Sequence, residues 1–268
     1  MSGAPEDDDT PIPAATVLLL RDTRAAAAPL EVLMVERHAD IGFAGGALVF
    51  PGGRIDPGDH DPLWAEHADG LPDDPALAAA MVAAAREAFE EAGILLARDA
   101  RNIVTNDVTS ALNDRRAAIE ADDALFLQMI REEKLRLACD QMVLFARWVA
   151  PPRLHKRFDT WFFAAATPPG QEAREDGNEA TEAIWITPAD ALKARADGSR
   201  KLIFPTVRNV ELLGESKSVN AVFKHAEARV IEPITPDVIM RDGAAYLTIP
   251  TDLGYPVTEE RLDADQRQ

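Results

Sequence analysis

Three glutamates that could bind a metal ion lie close together in the sequence REAFEEAG at residues 86–93. At about 100° per residue, Glu87, Glu90 and Glu91 share one narrow face of a helix. Carboxylates clustered without histidine or cysteine suit a hard cation such as Mg²⁺ or Mn²⁺, which also relieves their mutual repulsion. Arg86 could hold one of these carboxylates in place. Taken alone, the pattern is more typical of a solvated acidic helix face with an i,i+4 salt bridge.

The helix that must position these glutamates has clear end signals. Asp74 is a candidate N-cap, Pro75 suits the first helical position, and Gly93 suits the C-cap. Phe89 and Ala92 fall on the side opposite the glutamates. The sequence therefore predicts one helix with an apolar back that anchors it and an acidic front.

A glycine turn precedes this helix. Gly52 and Gly53 follow a predicted extended run at residues 46–50, and glycines permit close approach of the backbone to a neighbouring group. A free carbonyl in such a turn could be a further metal ligand, and Arg54 is a candidate phosphate contact. By itself this segment would be an ordinary turn.

Together, the turn and the helix resemble the Nudix box, which joins a glycine and a glutamate to the motif Arg-Glu-x-x-Glu-Glu-x-Gly. The matching residues are Gly53, Arg86, Glu87, Ala88, Glu90, Glu91, Gly93 and Ile94. Two features depart from the family pattern. Asp59 stands where the family has glutamate, and residues 60–85 separate it from Arg86 where the family has only seven residues.

An insertion at this place is similar to that of one branch of the family, the peroxisomal acyl-coenzyme A diphosphatases and their bacterial relatives. The flanking segments 42–53 and 157–163 also resemble that branch, and the resemblance extends over roughly residues 12–213. It implies an α/β fold, namely a Nudix-type α/β/α sandwich with a mixed β-sheet, plus extra helices and a C-terminal extension.

The resemblance also implies a reaction. Glu87, Glu90 and Glu91 would hold Mg²⁺ or Mn²⁺ while water attacks a nucleoside diphosphate linkage, with a carboxylate as general base. The branch implies coenzyme A or acyl-coenzyme A as substrate, with 3′,5′-ADP and (acyl)phosphopantetheine as products. ADP-ribose, NADH or another nucleoside diphosphate derivative stays open, as does a non-catalytic binding or regulatory module of the same fold. The complete glutamate motif favours an enzyme.

Further candidates lie outside the box. Glu179 and Glu182 precede a predicted strand and could supply the general base, although exposed loop carboxylates are also expected in an acidic chain. A basic cluster could bind the 3′-phosphate of coenzyme A or simply cap the following strand. This cluster comprises Arg153, His155, Lys156 and Arg157.

The composition limits the partners. The 268 residues include 28 Lys and Arg against 46 Asp and Glu, a formal net charge of −18, which disfavours nucleic acid and anionic membranes. Cys139, the only cysteine, has no adjacent histidine, so we expect a packed thiol. Without a signal-peptide pattern or a membrane-spanning run, the sequence predicts a cytoplasmic protein with a small-molecule substrate. It allows a homodimer without indicating one.

The remaining elements follow from periodicity and turn signals. We predict strands at residues 14–21, 30–36, 142–149, 160–166 and 183–186. We predict two helical patterns within 108–134, helices at 188–196 and 204–213, and a hairpin of 238–240 with 245–249. A single domain is expected over residues 11–257, with 60–85 as an insertion and 214–257 as an extension, between disordered tails at 1–10 and 258–268.

Overall fold

The computed structural model describes residues 10–23, 30–40, 44–101, 104–152 and 157–262. In chain order its elements are β1 (Ile12–Asp22), β2 (Leu30–Arg37), β3 (Leu48–Val49), β4 (Gly52–Arg54), α1 (Trp64–His67), β5 (Ala68–Asp69), α2 (Pro75–Ala92), β6 (Ala97–Arg98), α3 (Asn106–Leu112), α4 (Arg116–Ala121), α5 (Ala124–Glu132), β7 (Arg136–Ala138), β8 (Met142–Val149), β9 (Phe158–Ala166), β10 (Ala180–Ile186), α6 (Pro188–Ala196), α7 (Phe204–Gly214), α8 (Val219–Glu227), β11 (Pro233–Ile234), β12 (Asp237–Arg241), β13 (Ala244–Thr248) and β14 (Glu259–Arg261).

A mixed sheet forms the centre, and its main path is β10-β2-β1-β9-β8-β11. β1 is parallel to β9 and antiparallel to β2. β1 and β2 pair only near their connection, where Leu20 lies opposite Val32. Beyond that point they diverge, so that β4 pairs with β1 and β3 pairs with β2. The glycine turn is thereby inserted between the two strands.

Helices cover both faces of this sheet. Along β1, Val17 and Leu19 belong to the core shared with α2 and the α3–α5 segment, whereas Leu18 and Leu20 belong to the core shared with α7 and α8. This alternation follows from the two-residue period of a strand, and all four side chains are fully buried. The predicted α/β/α sandwich with a mixed sheet is confirmed.

Helix α2 begins and ends as its sequence predicts. The Asp74 carboxylate accepts a hydrogen bond from the Ala76 N–H at 2.9 Å, and Gly93 ends the helix with a φ of 66°. Residues 75–85, which belong to the predicted 60–85 insertion, form about the first three turns of this helix. The excursion between the two halves of the box is therefore residues 60–74, which contain α1 and β5.

Some predicted elements need correction. The segment 108–134 contains three helices instead of two, because a 3₁₀ turn at Asn113–Arg115 separates α3 from α4. The extended run at 46–50 contains only the two-residue strand β3. Sequence reasoning missed α8, although Ser218 caps it by accepting from the Ala221 N–H at 3.2 Å.

The C-terminal hairpin is confirmed, with Asp242 and Gly243 at positive φ in its turn. A third strand, β14, pairs with β13, so the expected disordered tail from residue 258 is wrong as far as residue 262. Residues 1–9 and 263–268 lie outside the described part of the chain. None of the helices within that part is both long and apolar enough to cross a bilayer.

Candidate active site

The three glutamates of α2 share one buried face, as their spacing predicts. Arg86 lies among them. Its Nη1 donates to Glu87 Oε1 at 3.0 Å and to Glu90 Oε2 at 3.1 Å. These bonds fix two of the three carboxylates and partly neutralise them, so Arg86 holds more than the single carboxylate that the sequence suggests.

Asp59 binds the other side of the same guanidinium. Arg86 donates from Nε to Asp59 Oδ1 at 3.0 Å and from Nη2 to Asp59 Oδ2 at 2.9 Å. Arg86 Nη2 also donates to the carbonyl oxygen of Arg54 at 2.9 Å, while the N–H of Asp56 donates to Asp59 Oδ2 at 2.9 Å. The shorter aspartate therefore reaches Arg86, and the insertion leaves the two halves of the box joined.

Both glycines of the turn occupy places where a side chain would collide. A Cβ on Gly53 would lie 2.4 Å from Glu87 Oε1, and a Cβ on Gly52 would lie 2.6 Å from the carbonyl oxygen of Ala15. The N–H of Gly52 donates to Glu91 Oε2 at 3.0 Å. The turn thus packs directly on the carboxylates and helps to orient one of them.

Arg37, at the end of β2, is a site residue that sequence reasoning missed. Its Nη1 lies 3.4 Å from Glu91 Oε1, and its Nη2 lies 3.6 Å from Glu179 Oε2. No spacing rule connects Arg37 with α2, because only the pairing of β2 with β3 and β10 brings it there.

Arg116, the first residue of α4, is a second missed residue. Its Nε and Nη2 donate to the carbonyl oxygen of Glu90 at 2.8 and 2.6 Å, and its Nη1 donates to that of Glu175 at 3.3 Å. The Glu90 carbonyl belongs to the last turn of α2, where carbonyls lack a partner within the helix. Buried Arg116 satisfies it and ties α4 to the glutamate-bearing helix.

Burial dominates the electrostatics of the carboxylates. It raises the pKa of Glu90 to about 7, against the opposing effect of Arg86, and the pKa of Glu91 to about 8, against the opposing effect of Arg37. Burial also raises the pKa of Glu87 and of Asp59. The site therefore favours protonation or a further cation beside these groups.

One carboxylate oxygen carries the case for a cation. Glu90 Oε1 is buried and has no hydrogen-bond partner, a costly state that a hard cation would relieve. Among the residues that the structure describes, no group of three His, Cys, Asp or Glu side chains has the arrangement of a metal-binding site. Because Arg86 draws oxygens of Glu87 and Glu90 toward itself, a cation would share these carboxylates with the guanidinium. The donor set fits a hard divalent ion on these terms.

Comparison with known proteins identifies the family. Residues 65–212, more than half of the chain, match the family described as the NUDT19 Nudix domain. The chain belongs to this family of Nudix hydrolases. It is thus a hydrolase that acts on phosphorus-containing anhydrides, and enzymes of this family generally use divalent metals.

Individual relatives agree with this assignment. Acyl-coenzyme A diphosphatase NUDT19 of Xenopus laevis is 25% identical over 273 residues, which cover 84% of this chain and 71% of that protein. The protein of the same name from Gallus gallus is 26% identical, over an alignment that covers 91% of this chain and 79% of that protein. The crystal structure of a NUDIX hydrolase from Alicyclobacillus acidocaldarius superposes with a TM-score of 0.67 at 27% identity, over 81% of this chain and 97% of that one.

Of the two glutamates predicted outside the box of this Nudix hydrolase, Glu179 lies near the carboxylates of α2 and Glu182 pairs elsewhere. Glu179 lies beside Arg37 with 45% of its side chain exposed, so it borders the carboxylates. Glu182 instead pairs with Arg200 at 2.7 Å, and this pairing argues against its predicted place in the site. Strand β10 is irregular between Ala180 and Glu182, which the sequence did not signal.

The remaining candidates are less closely tied to the box. Arg54 contributes its carbonyl oxygen to Arg86, and its side chain is exposed beside the turn. Arg157 donates from Nε to the carbonyl oxygen of Ala150 at 3.1 Å, which ties the start of β9 to the end of β8. Arg153, His155 and Lys156 lie outside the described residues. Cys139 is buried, and burial raises its pKa to about 12, which confirms the predicted packed thiol.

Proposed function

We propose that this Nudix hydrolase uses Mg²⁺, or Mn²⁺, to cleave the diphosphate of coenzyme A or acyl-coenzyme A into 3′,5′-ADP and (acyl)phosphopantetheine. The observation that carries the proposal is the Nudix box assembled around Arg86 in a chain whose matching family is the NUDT19 Nudix domain. The names of the two vertebrate relatives support the choice of substrate.

Glu87, Glu90 and Glu91 are the residues that we propose to hold the metal. When bound, a divalent cation neutralises the diphosphate oxygens and activates water. Arg86 keeps two of the carboxylates in place, and the N–H of Gly52 orients the third.

Exposed or partly exposed residues outside the carboxylate cluster would accept the proton and contact the phosphates. Glu179, half exposed next to Arg37, is our candidate to accept the proton of the attacking water at its Oε atoms. Arg54 and Arg157 are proposed phosphate contacts, since guanidinium groups suit phosphate recognition. The cytoplasmic location stays a prediction.

A product assay tests this function. Purified protein with Mg²⁺ is incubated separately with coenzyme A, acetyl-coenzyme A, ADP-ribose and NADH, and the nucleotide products are separated chromatographically. We expect release of 3′,5′-ADP from the coenzyme A substrates and loss of this activity with a chelator. Cleavage of ADP-ribose or NADH without release of 3′,5′-ADP would overturn the proposed substrate.

Matched glutamate variants test the metal site in the same assay. Glu90→Gln and Glu91→Gln should each lower activity by about 100-fold or more, because each loses an anionic ligand oxygen. Glu182→Gln removes the same charge from a residue that binds Arg200, and it should retain activity. Full Mg²⁺-dependent hydrolysis by both of the first two variants would show that the assigned ligands are wrong.

A further inference from the structure

Strand β12 leaves one edge of the C-terminal sheet open. The strand order is β12-β13-β14, and no other strand pairs with β12 within the described residues. Because a two-residue turn closes the hairpin, Arg241 opposite Ala244 forms a hydrogen-bonded pair, as do alternate residues before it. The backbone N–H and C=O groups of Val238 and Met240 therefore point away from β13. In this chain the Val238 N–H is bound by the Asp237 carboxylate at 2.8 Å.

The same two residues expose apolar side chains. Val238 is 54% exposed and Met240 is 67% exposed, and their spacing puts both on one face. The register places Glu260 of β14 on that face too, where it binds Arg195 and Arg208 of α6 and α7. The face therefore contacts α6 and α7 at β14, whereas Val238 and Met240 of β12 remain exposed on it.

We propose that β12 pairs antiparallel with β12 of a second copy of this chain, about a two-fold axis at Ile239. In this register Val238 forms a hydrogen-bonded pair with Met240 of the partner subunit, and Met240 does so with the partner's Val238. The Val238 N–H exchanges the Asp237 carboxylate for the carbonyl of the partner's Met240, so all outward N–H and C=O groups of both residues have backbone partners and the Asp237 carboxylate is released. The four exposed side chains meet on one face. This inference does not depend on the proposed function.

Charge and backbone chemistry select both the partner and the register. Pairing at Ile239 places Asp237 opposite Arg241 of the partner subunit, twice per dimer, so the edge is complementary to itself. A register centred on Val238 would put Met240 opposite Pro236, which has no N–H to donate. A register centred on Met240 would put Val238 opposite Asp242, which is in the turn with a φ of 51°.

The expected dimer is weak. Five residues from each copy give a contact smaller than the roughly 1,200–2,000 Å² of a stable interface, so association should be reversible, with a dissociation constant between roughly micromolar and roughly millimolar. Arg241 also binds Glu259 of its own chain, but half of its side chain remains exposed for a second acid.

Sedimentation equilibrium of the full chain over a concentration series tests the proposal. Wild type should associate reversibly to a dimer. Asp237→Lys and Arg241→Asp should each raise the dimer dissociation constant by about tenfold, because each puts two like-charged pairs across the interface. An equimolar mixture of the two variants should regain dimerisation, since only the heterodimer pairs opposite charges at both places.

Charge-matched controls lie elsewhere on the surface. Asp252→Lys and Lys217→Asp change net charge by the same amounts and should dimerise as wild type does. Circular dichroism checks that every variant is folded. A monomeric wild type at roughly millimolar concentration would overturn the proposal. A dimer that persists in both single variants, or a mixture that stays monomeric, would do so as well.

Discussion

Arg86 is the side chain that unites the candidate site. It donates to Glu87 and Glu90 on its own helix, and to Asp59 and the Arg54 carbonyl on the preceding turn. A buried charge with these partners is stable only while they remain, because an unpaired buried ion costs several kcal/mol. The orientation of the glutamates therefore depends on a residue that need not touch the metal.

Replacing Asp59 tests this dependence. Asp59→Asn removes one of the anionic partners of Arg86, the one that binds its guanidinium through two oxygens, and should lower kcat/KM and Mn²⁺ affinity by about 10- to 100-fold, as expected for a residue that orients the ligands. Steady-state kinetics and calorimetric Mn²⁺ titration measure the two effects. Asp73→Asn, which changes an exposed aspartate in the insertion that follows Asp59, is the matched control. Equal activity of the two variants would contradict the role of Asp59.

The raised pKa values predict how stability depends on pH when metal is chelated. In the folded protein the pKa of Glu90 is about 7 and that of Glu91 about 8, both above the ordinary value of 4.5. Between the ordinary pKa and these raised values, the folded state holds protons that the unfolded state has lost. The free energy of unfolding should therefore fall as pH rises from about 5 to 8.

Thermal unfolding in a chelator over this pH range measures the effect. The variant Glu90→Gln/Glu91→Gln should show a flatter dependence, because it lacks the two titrating groups, and Mg²⁺ should restore stability of wild type at pH 8. A metal-free wild type whose Tm rose steadily from pH 5 to 8 would contradict the assignment.

At the scale of elements, α2 is held from three sides. Its apolar side chains pack on β1, the glycine turn between β1 and β2 contacts its acidic face, and α4 binds its last turn through Arg116. The helices that follow the box thus belong to the framework of the site.

Arg116→Ala tests the contribution of α4. Losing charged hydrogen bonds to the Glu90 carbonyl should cost about 2 kcal/mol of stability and lower kcat about tenfold or more, with KM for the substrate little changed. Arg115→Ala is the control, since Arg115 pairs with Glu132 on the surface. Partial recovery of kcat in Arg116→Lys would support positioning, whereas a lower Tm with wild-type kcat would show a purely structural role.

At the scale of the whole molecule, the net charge of −18 opposes an anionic substrate. Three cations near the box, Arg37, Arg86 and Arg116, are already engaged by carboxylates or carbonyls, which leaves the exposed Arg54 as the proposed phosphate contact there. We expect long-range repulsion that salt weakens. The single domain over residues 11–257 stays a prediction, as does dimerisation.

Raising the ionic strength from about 0.01 to 0.15 M should therefore increase kcat/KM for coenzyme A several-fold, because the Debye length shortens from about 30 to 8 Å. The rate at saturating substrate should change little. Initial rates at fixed free Mg²⁺, with KCl and choline chloride compared, measure this. A fall in kcat/KM with salt would show that local positive charge guides the substrate.

The local signals were sufficient for the bounds of α2 and for the shared face of its glutamates. Asp74, Pro75 and Gly93 set its ends through backbone rules that act over a few residues, and helical periodicity placed the three glutamates on one face. The five long strands of the central sheet, β1, β2, β8, β9 and β10, were predictable for a similar reason, since each contains a run of apolar and β-branched residues, whereas the short strands β4 and β11 do not. These properties depend on neighbours along the chain.

Contacts between distant segments could be assigned only from the tertiary structure. Arg37 and Arg116 reach the glutamates through sheet pairing and helix packing, which leave no periodic trace. The same pairing directs Glu182 to Arg200 and brings Asp59 to Arg86 across the insertion. Sequence alone specifies which groups can bind a cation, whereas burial and the partners gathered by folding set their charge and orientation.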